Sequence, residues 1–370
     1  MLIENVYLLM KDGVFRKGCI AFDETICRVE AREGGDTGVG PYLIPGLIDI
    51  HSHGALNGDH TDGSEKAMRE MAVYYAQNGV TSFLATTITA QEETLHTAME
   101  NIARYERPPN GARCIGINME GPFLSYDKRG AHPPDLLMPP DISMFERLYS
   151  KSGNSIKLVS IAPELPGAMD FIREISQVCK VALAHTSADY QLAMQAFGNG
   201  ATHVTHLFNA MSPLLHRDPG MVGAAMDALA YVEAICDGIH LHPAIIRAIY
   251  QMFPQRVCMI SDSVRSAGLP DGNYESGGMP IIVKNGKATL QNGTIAGSTI
   301  SLMQGVRHAV DFGIPLGRAI TAASANNAHA IGMEGKLGLL NPGAYADMVL
   351  LDGGLNIQKV YIAGKELQFK

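Results

Sequence analysis

Tyr42-Leu43-Ile44-Pro45-Gly46-Leu47-Ile48-Asp49-Ile50-His51-Ser52-His53 joins an apolar run to a His-x-His pair. Residues two apart on an extended strand share a face. The spacing therefore predicts Asp49, His51 and His53 on one side and Ile48 and Ile50 on the other. Two imidazoles converging at a strand end suit a borderline-soft divalent cation. Two surface histidines on a turn would be spelled the same way, so the weight falls on what lies downstream.

Downstream the chain alternates. Apolar strand candidates fall at Ser82–Thr86, Cys114–Met119, Ile156–Ser160, Val181–His185, His203–His206 and Val257–Ser261. Amphipathic helical stretches separate them, among them Ser64 to Asn78 before Gly79, Met169 to Cys179, and Asp189 to Phe197 before Gly198. Repeated strand–helix units predict a parallel sheet. Seven or eight of them point to an α/β fold closed as a (β/α)8 barrel, with an open doubly wound sheet as the alternative. The two ends read differently. Val6–Met10, Cys19–Phe22 and Ile26–Val29 at one end, and Asp347–Leu351 and Lys359–Ala363 at the other, are strand-like. This predicts a small β-sandwich made by both termini, residues 1–45 and 337–370, around a catalytic barrel at 46–336. Within 270–296, Pro280–Lys284 and Lys287–Leu290 flank Asn285-Gly286, the signature of a hairpin inserted after a barrel strand.

Most strand candidates end in a residue suited to chemistry: His51 and His53, then Glu120, His185, His206 and Asp262. In such a barrel the strand C-termini surround one pocket, so residues distant in sequence can meet there. His203 and His206, three apart, cannot both point at it; His206, beside the polar loop Asn209-Ala210-Met211, is assigned to the pocket and His203 to the structure. The set suits metal-assisted hydrolysis, in which a cation makes water nucleophilic near neutrality and a carboxylate carries its proton to the leaving group. Asp262 is the candidate for that carboxylate, and Glu120 for a ligand or a bridge between two ions. Amide cleavage is the natural target, because a poor amine leaving group needs the returned proton.

The bulk numbers exclude other classes. In 370 residues, 46% apolar, there is enough core for one large barrel and a small accessory domain. A formal charge of −8 argues against nucleic-acid binding, and an anionic ligand would need a local cationic pocket. No apolar run is long enough to span a bilayer and no basic leader opens the chain, so no membrane association and a cytoplasmic location are expected. The six scattered cysteines read as reduced thiols and the nineteen methionines as core filler. His60, Asp59 and Asp62 read as a solvated loop. His96, His216, His242, His308 and His329 are given no functional role, and Gly297-Ser298 reads as a turn or a substrate loop.

The ordered motifs Pro45-Gly46-Leu47-Ile48-Asp49-Ile50-His51-Ser52-His53-Gly54, Asn118-Met119-Glu120-Gly121-Pro122-Phe123, Arg129-Gly130-Ala131-His132, Ala184-His185-Thr186, Thr205-His206-Leu207-Phe208-Asn209-Ala210-Met211, His216-Arg217-Asp218-Pro219-Gly220, Asp237-Gly238-Ile239-His240, Ser261-Asp262-Ser263 and Ala296-Gly297-Ser298 span nearly the whole chain. In them the sequence resembles the amidohydrolase superfamily and, within it, the N-acetylglucosamine-6-phosphate deacetylases. The resemblance implies the barrel and terminal β-sandwich, with Glu120, His185 and His206 holding the main cation. Asp262 is then the acid/base, and His132 orients and polarises the substrate acetyl carbonyl. Asn209, Ala210, Arg217 and His240 match positions tied to the sugar and phosphate. It also implies a homodimer whose phosphate-binding residues cross the interface. Some relatives lack the first histidine pair and carry one metal; here His51 and His53 are intact, so one or two ions of zinc, iron, manganese or cobalt are expected, with Glu120 as bridge in place of a carboxylated lysine. The implied substrate is N-acetyl-D-glucosamine 6-phosphate. The rival readings are its galactosamine epimer, a cyclic amide, and a non-catalytic barrel, which the intact Glu120, His185, His206 and Asp262 oppose.

Overall fold

The computed structural model describes residues 1–32 and 39–369; residues 33–38 and 370, parts of the stretches 1–45 and 337–370 read above as the accessory domain, lie outside the described residues. Eight parallel strands form one sheet in chain order: β1 Leu47–Ser52, β2 Val80–Thr87, β3 Arg113–Met119, β4 Ile156–Ile161, β5 Lys180–Leu183, β6 His203–Val204, β7 Tyr231–Ile235 and β8 Val257–Ile260. Asn327 draws the seam between β8 and β1 together. Its amide nitrogen donates to Ile48 O (2.6 Å) and Met259 O (2.8 Å) at once. The Asp262 N–H donates across the same seam to His51 O at 2.9 Å.

Two apolar cores follow from the strand alternation. Ile48, Ile50, Leu84, Leu158, Ala182, Ile235, Cys258 and Ile260 fill the barrel interior, where Ala328, Ala330 and Ile331 pack against them. The opposite strand faces meet the helices. Glu65–Gln77 shows how a helix is set: the Ser64 hydroxyl caps the Ala67 N–H at 3.2 Å, and Met68, Met71, Ala72, Tyr75 and Ala76 form its buried stripe. The helix expected over Met169 to Cys179 is shorter, at Ala168–Ile175. β7 is absent from the sequence reading because Glu233 interrupts its apolar run.

The terminal strands share one seven-stranded sheet. Leu2–Leu9 pairs antiparallel with Phe15–Phe22 and parallel with Tyr42–Pro45, and Tyr42–Pro45 pairs with Met348–Leu351 from the far end of the chain. The insertion has three antiparallel strands, Gly272–Ser276, Met279–Lys284 and Lys287–Thr289. The turn falls at Asn285 and Gly286, with φ of 52° and 70°, as a two-residue hairpin loop requires. The extra strand, Gly272–Ser276, is too rich in turn residues to be read from its pattern. Among the described residues no helix is long and apolar enough to cross a membrane.

Candidate active site

Four barrel strands, β3, β5, β6 and β8, stop at the mouth just before a functional side chain. Glu120 follows Met119 directly, and His185, His206 and Asp262 stand two residues past β5, β6 and β8. The last three adopt left-handed backbone angles, with φ of 44°, 28° and 48°. Holding such residues there costs about 1 kcal/mol or more each, a cost met by neighbouring packing and characteristic of functional positions. On β1 the ladder slips: from Asp49 to Ser52 three steps oppose two on β2. The slip breaks the strict alternation expected of the sequence. His51 and His53 turn to the mouth, whereas Asp49 does not join them. Its Oδ1 instead accepts from the main-chain N–H groups of His51 and Ser261, both at 3.3 Å.

Glu120 is the hub. Its Oε1 lies 3.3 Å from His185 Nε2 and 3.2 Å from His206 Nε2. Its Oε2 lies 3.5 Å from His51 Nε2, 3.1 Å from His53 Nε2 and 3.5 Å from His132 Nε2. Asp262 Oδ1 is 3.4 Å from Nε2 of both His51 and His53. Two ligand-competent groups share Glu120: His51–His53–Glu120 and Glu120–His185–His206, all buried.

Hydrogen bonds behind the rings set their protons. His185 Nδ1 donates to Lys128 O (2.8 Å), and His51 Nδ1 stands 2.8 Å from Glu233 Oε2, so the Nε2 atoms of both rings carry lone pairs when neutral. Yet His185 Nε2 is 3.0 Å from His206 Nε2, and His51 Nε2 is 3.3 Å from His53 Nε2. Ring nitrogens this close, sharing the Glu120 carboxylate, suit a cation between them, and a nitrogen–carboxylate donor set suits a divalent metal. His132 differs. Thr89 N–H points at its Nδ1 (3.4 Å) and the Thr89 hydroxyl lies 2.8 Å away, which leaves Nε2–H to face the pocket.

Electrostatics separates these groups further. Burial would lower His53, but Asp262 and Glu120 carry it up to about 9. Burial likewise opposes the charge on Asp262, and the histidines around it hold it down at about 2. Burial pushes His132 down to about 4, so its ring is neutral at physiological pH.

The mouth opens into a cavity of about 450 Å³. His53, Glu120, His132, His185, His206 and Asp262 line its base, Asn209, Ala210 and His240 one wall, and Asn292 and Thr294 to Gly297, at the end of the insertion, another. His51 sits beneath, fully buried. His240 is braced by Asp237 Oδ2 at 2.6 Å. Arg217 is exposed and does not line the cavity of its own chain. Gly297 and Ser298 secure Asp262: the Ser298 N–H donates to Asp262 O at 2.7 Å, and its hydroxyl donates to Ser261 O.

Other histidines are structural. His203 is buried beside Tyr231, and His242 caps the helix Pro243–Met252. The solvated loop expected at Asp59, His60 and Asp62 is instead packed at Asp59 and His60, while Asp62 stays exposed. Asp59 caps Thr61, His60 stacks on Phe83, and Asp62 pairs with Arg265 at 2.9 Å. Polar spelling concealed a 3-10 turn folded onto β2. Thr89 and Glu233 were missed; for Glu233 the available signal was an acid inside an otherwise apolar run, which needs a buried partner.

The amidohydrolase family model matches residues 42–367. The chain belongs to the amidohydrolase family. It is 38% identical to the N-acetylgalactosamine-6-phosphate deacetylase of Escherichia coli O157:H7 over 331 residues, 88% of each chain. It is 33% identical to the N-acetylglucosamine-6-phosphate deacetylase of Bacillus subtilis over 373 residues, covering 96% of this chain and 94% of the relative. Among solved structures, an aspartate-to-alanine mutant of the Mycobacterium smegmatis N-acetyl-D-glucosamine-6-phosphate deacetylase, in complex with N-acetyl-D-glucosamine 6-phosphate, superposes with a TM-score of 0.91. It is 32% identical, and the match covers 100% of this chain and 99% of that one.

Proposed function

We propose that this chain hydrolyses the N-acetyl group of N-acetyl-D-glucosamine 6-phosphate, giving D-glucosamine 6-phosphate and acetate, in cytoplasmic amino-sugar catabolism or recycling. The observation that carries this reading is the gathering of His51, His53, His185, His206 and His132 around Glu120, beside Asp262, at the base of one cavity. Its end-to-end likeness to an enzyme that holds this sugar phosphate supports the choice of substrate.

Glu120, His185 and His206 would hold the main divalent cation, and His51 and His53 with Glu120 a second, from zinc, iron, manganese or cobalt. When bound, such an ion polarises a carbonyl and makes a neighbouring water acidic. The chain's own residues do the rest. Asp262, ionised because its surroundings hold it near 2, accepts the proton of the attacking water. It delivers that proton to the amine nitrogen as the C–N bond breaks. His132, neutral and presenting Nε2–H, donates to the acetyl oxygen as charge develops there. Asn209, Ala210 and His240 would take the sugar and phosphate from their wall of the cavity. Arg217, exposed, would reach the partner's cavity in a homodimer, where its fork suits phosphate. In this reading residues 46–336 form the catalytic domain and 1–45 with 337–370 the accessory one.

A second reading has one observation in its favour: the Escherichia coli O157:H7 relative is named for the galactosamine epimer. Acetate release from both phosphorylated epimers and both unphosphorylated sugars, on metal-quantified protein, decides. The glucosamine 6-phosphate form should turn over fastest, and loss of the phosphate should raise KM sharply. Faster turnover of the galactosamine form would transfer the assignment to it. Indifference to phosphate would remove Arg217 and His240 from their roles.

A further inference from the structure

Glu233 is an acid in the middle of a buried strand, between Val232 and Ala234 on β7, with no measurable exposure. A carboxylate at that depth persists only where donors hold it. Oε2 takes two: it lies 2.8 Å from His51 Nδ1 and 3.2 Å from the main-chain nitrogen of His206. Among the described residues Oε1 has no hydrogen-bond partner. The Glu233 carbonyl also receives the Leu207 N–H, at 2.9 Å. One residue therefore grips both a ring from the His51–His53–Glu120 group and the strained backbone of a ligand in the Glu120–His185–His206 group.

We propose that Glu233 is the positioning residue of the His51–His53–Glu120 seat, and that it makes the two seats unequal. By accepting His51 Nδ1–H it fixes the tautomer that presents a lone pair on Nε2, and its charge makes that nitrogen a stronger donor. The other rings lack this support. His185 has a neutral carbonyl behind it, and the Nδ1 atoms of His53 and His206 are buried without partners among the described residues. An ion on Glu120, His185 and His206 would keep its rings as they are when Glu233 is changed; one on His51, His53 and Glu120 would lose the brace behind His51. This rests on the two-seat reading of Glu120 above.

Metal-free wild-type, Glu233→Gln and Glu233→Ala proteins, titrated calorimetrically with zinc or manganese salt and counted for bound ions, test it. Wild type should bind two ions per chain. Glu233→Ala should weaken one of them by roughly 10–100-fold, the range seen when a carboxylate behind a ligand histidine is removed, and the other, which loses only the contact to the His206 main chain, by much less. Glu233→Gln, which keeps an acceptor but not the charge, should fall between and carries the test if the alanine variant does not fold. Adding Glu233→Ala to His51→Ala should cost no further ion affinity. Two ions bound with wild-type affinities in both variants, or both weakened equally, would overturn the proposal alone. A wild type that binds a single ion would overturn it together with the two-seat reading.

Discussion

His203 opens β6 and His206 stands two residues past its end, both buried, at 1% and 5% exposure. Burial, reinforced by Lys180, pushes His203 down to about 3. Burial acts on His206 in the same direction, but the Glu120 carboxylate beside it outweighs that and holds it above the ordinary imidazole range. The difference lies in what each end of the barrel has collected. At the floor, polar side chains stitch the backbone: Asn327 joins β1 to β8, and Asn326 donates to Val257 O at 2.7 Å. At the mouth, ring nitrogens and carboxylates crowd together, with His185, His206 and Asp262 on left-handed backbone. The first arrangement builds stability. The second gives some up, and makes sense as a site for something that binds there.

The sharpest way to break the comparison is at Asp262. Asp262→Asn should cut turnover by roughly 10³-fold or more, as expected for loss of a general acid/base, while ion content and thermal midpoint stay near wild type. Undiminished turnover would end its assignment. Next in size is removal of the cation. Prolonged chelation should abolish acetate release and lower the thermal midpoint, and added zinc or manganese should restore both. A ligand at a thousand times its Kd contributes about 4 kcal/mol, so an unchanged midpoint would mean that the mouth holds no ion. The floor should behave in the opposite way. Asn327→Ala strips a donor from two buried carbonyls and should cost about 1–3 kcal/mol in urea unfolding, with kcat and KM within several-fold of wild type. A variant that kept its stability and lost its activity would place Asn327 in the site instead.

These two ends were not equally legible in the sequence. The mouth declared itself because histidines and acids at strand ends are conspicuous against apolar strands, and the barrel's rule for strand C-termini collects them. Asp49 was misplaced because the slip on β1 leaves no mark in the spelling. Glu233 escaped notice because an acid in mid-strand reads as a break, and β7 went unseen with it. Thr89 escaped because a hydroxyl is too common to single out; only its approach to His132 gives it meaning. The role of Asn327 at the seam is set by closure, a three-dimensional fact. Arg217 was legible as a residue but not as a place, since its own chain leaves it on the surface.

The contrast between His203 and His206 also predicts a pH dependence. In the unfolded chain His203 titrates near 6.5; in the fold it stays neutral down to about 3. The unfolded state therefore binds the extra proton. Stability from this source is complete above about pH 6.5 and is lost as pH falls toward 3, by at most about 1.4 kcal/mol per pH unit. His60, pushed down to about 3 by burial and then by His53, adds a slope of the same sign. Urea midpoints between pH 7 and pH 5 should fall less steeply in His203→Gln than in wild type. Parallel slopes would show that the buried ring is not what acid unfolds.

The smallest effect separates strain from contact. Gly130 has φ of +57°, and a Cβ there would stand 3.1 Å from His185 Cε1. Gly167 has φ of +83°, and a Cβ there would meet nothing within 4 Å. Both alanine variants therefore pay for left-handed backbone, about 1 kcal/mol, but only Gly130→Ala presses on a ring whose Nδ1 is tied to Lys128 O at 2.8 Å. The ring must yield by a few tenths of an ångström or the loop must move. Gly130→Ala should weaken ion binding and lower kcat/KM several-fold, whereas Gly167→Ala should lose a similar amount of stability with wild-type kinetics. If the two variants share one kinetic profile, then the backbone at the mouth is forgiving, and the placing of His185 owes more to the Lys128 carbonyl than to the space that Gly130 leaves.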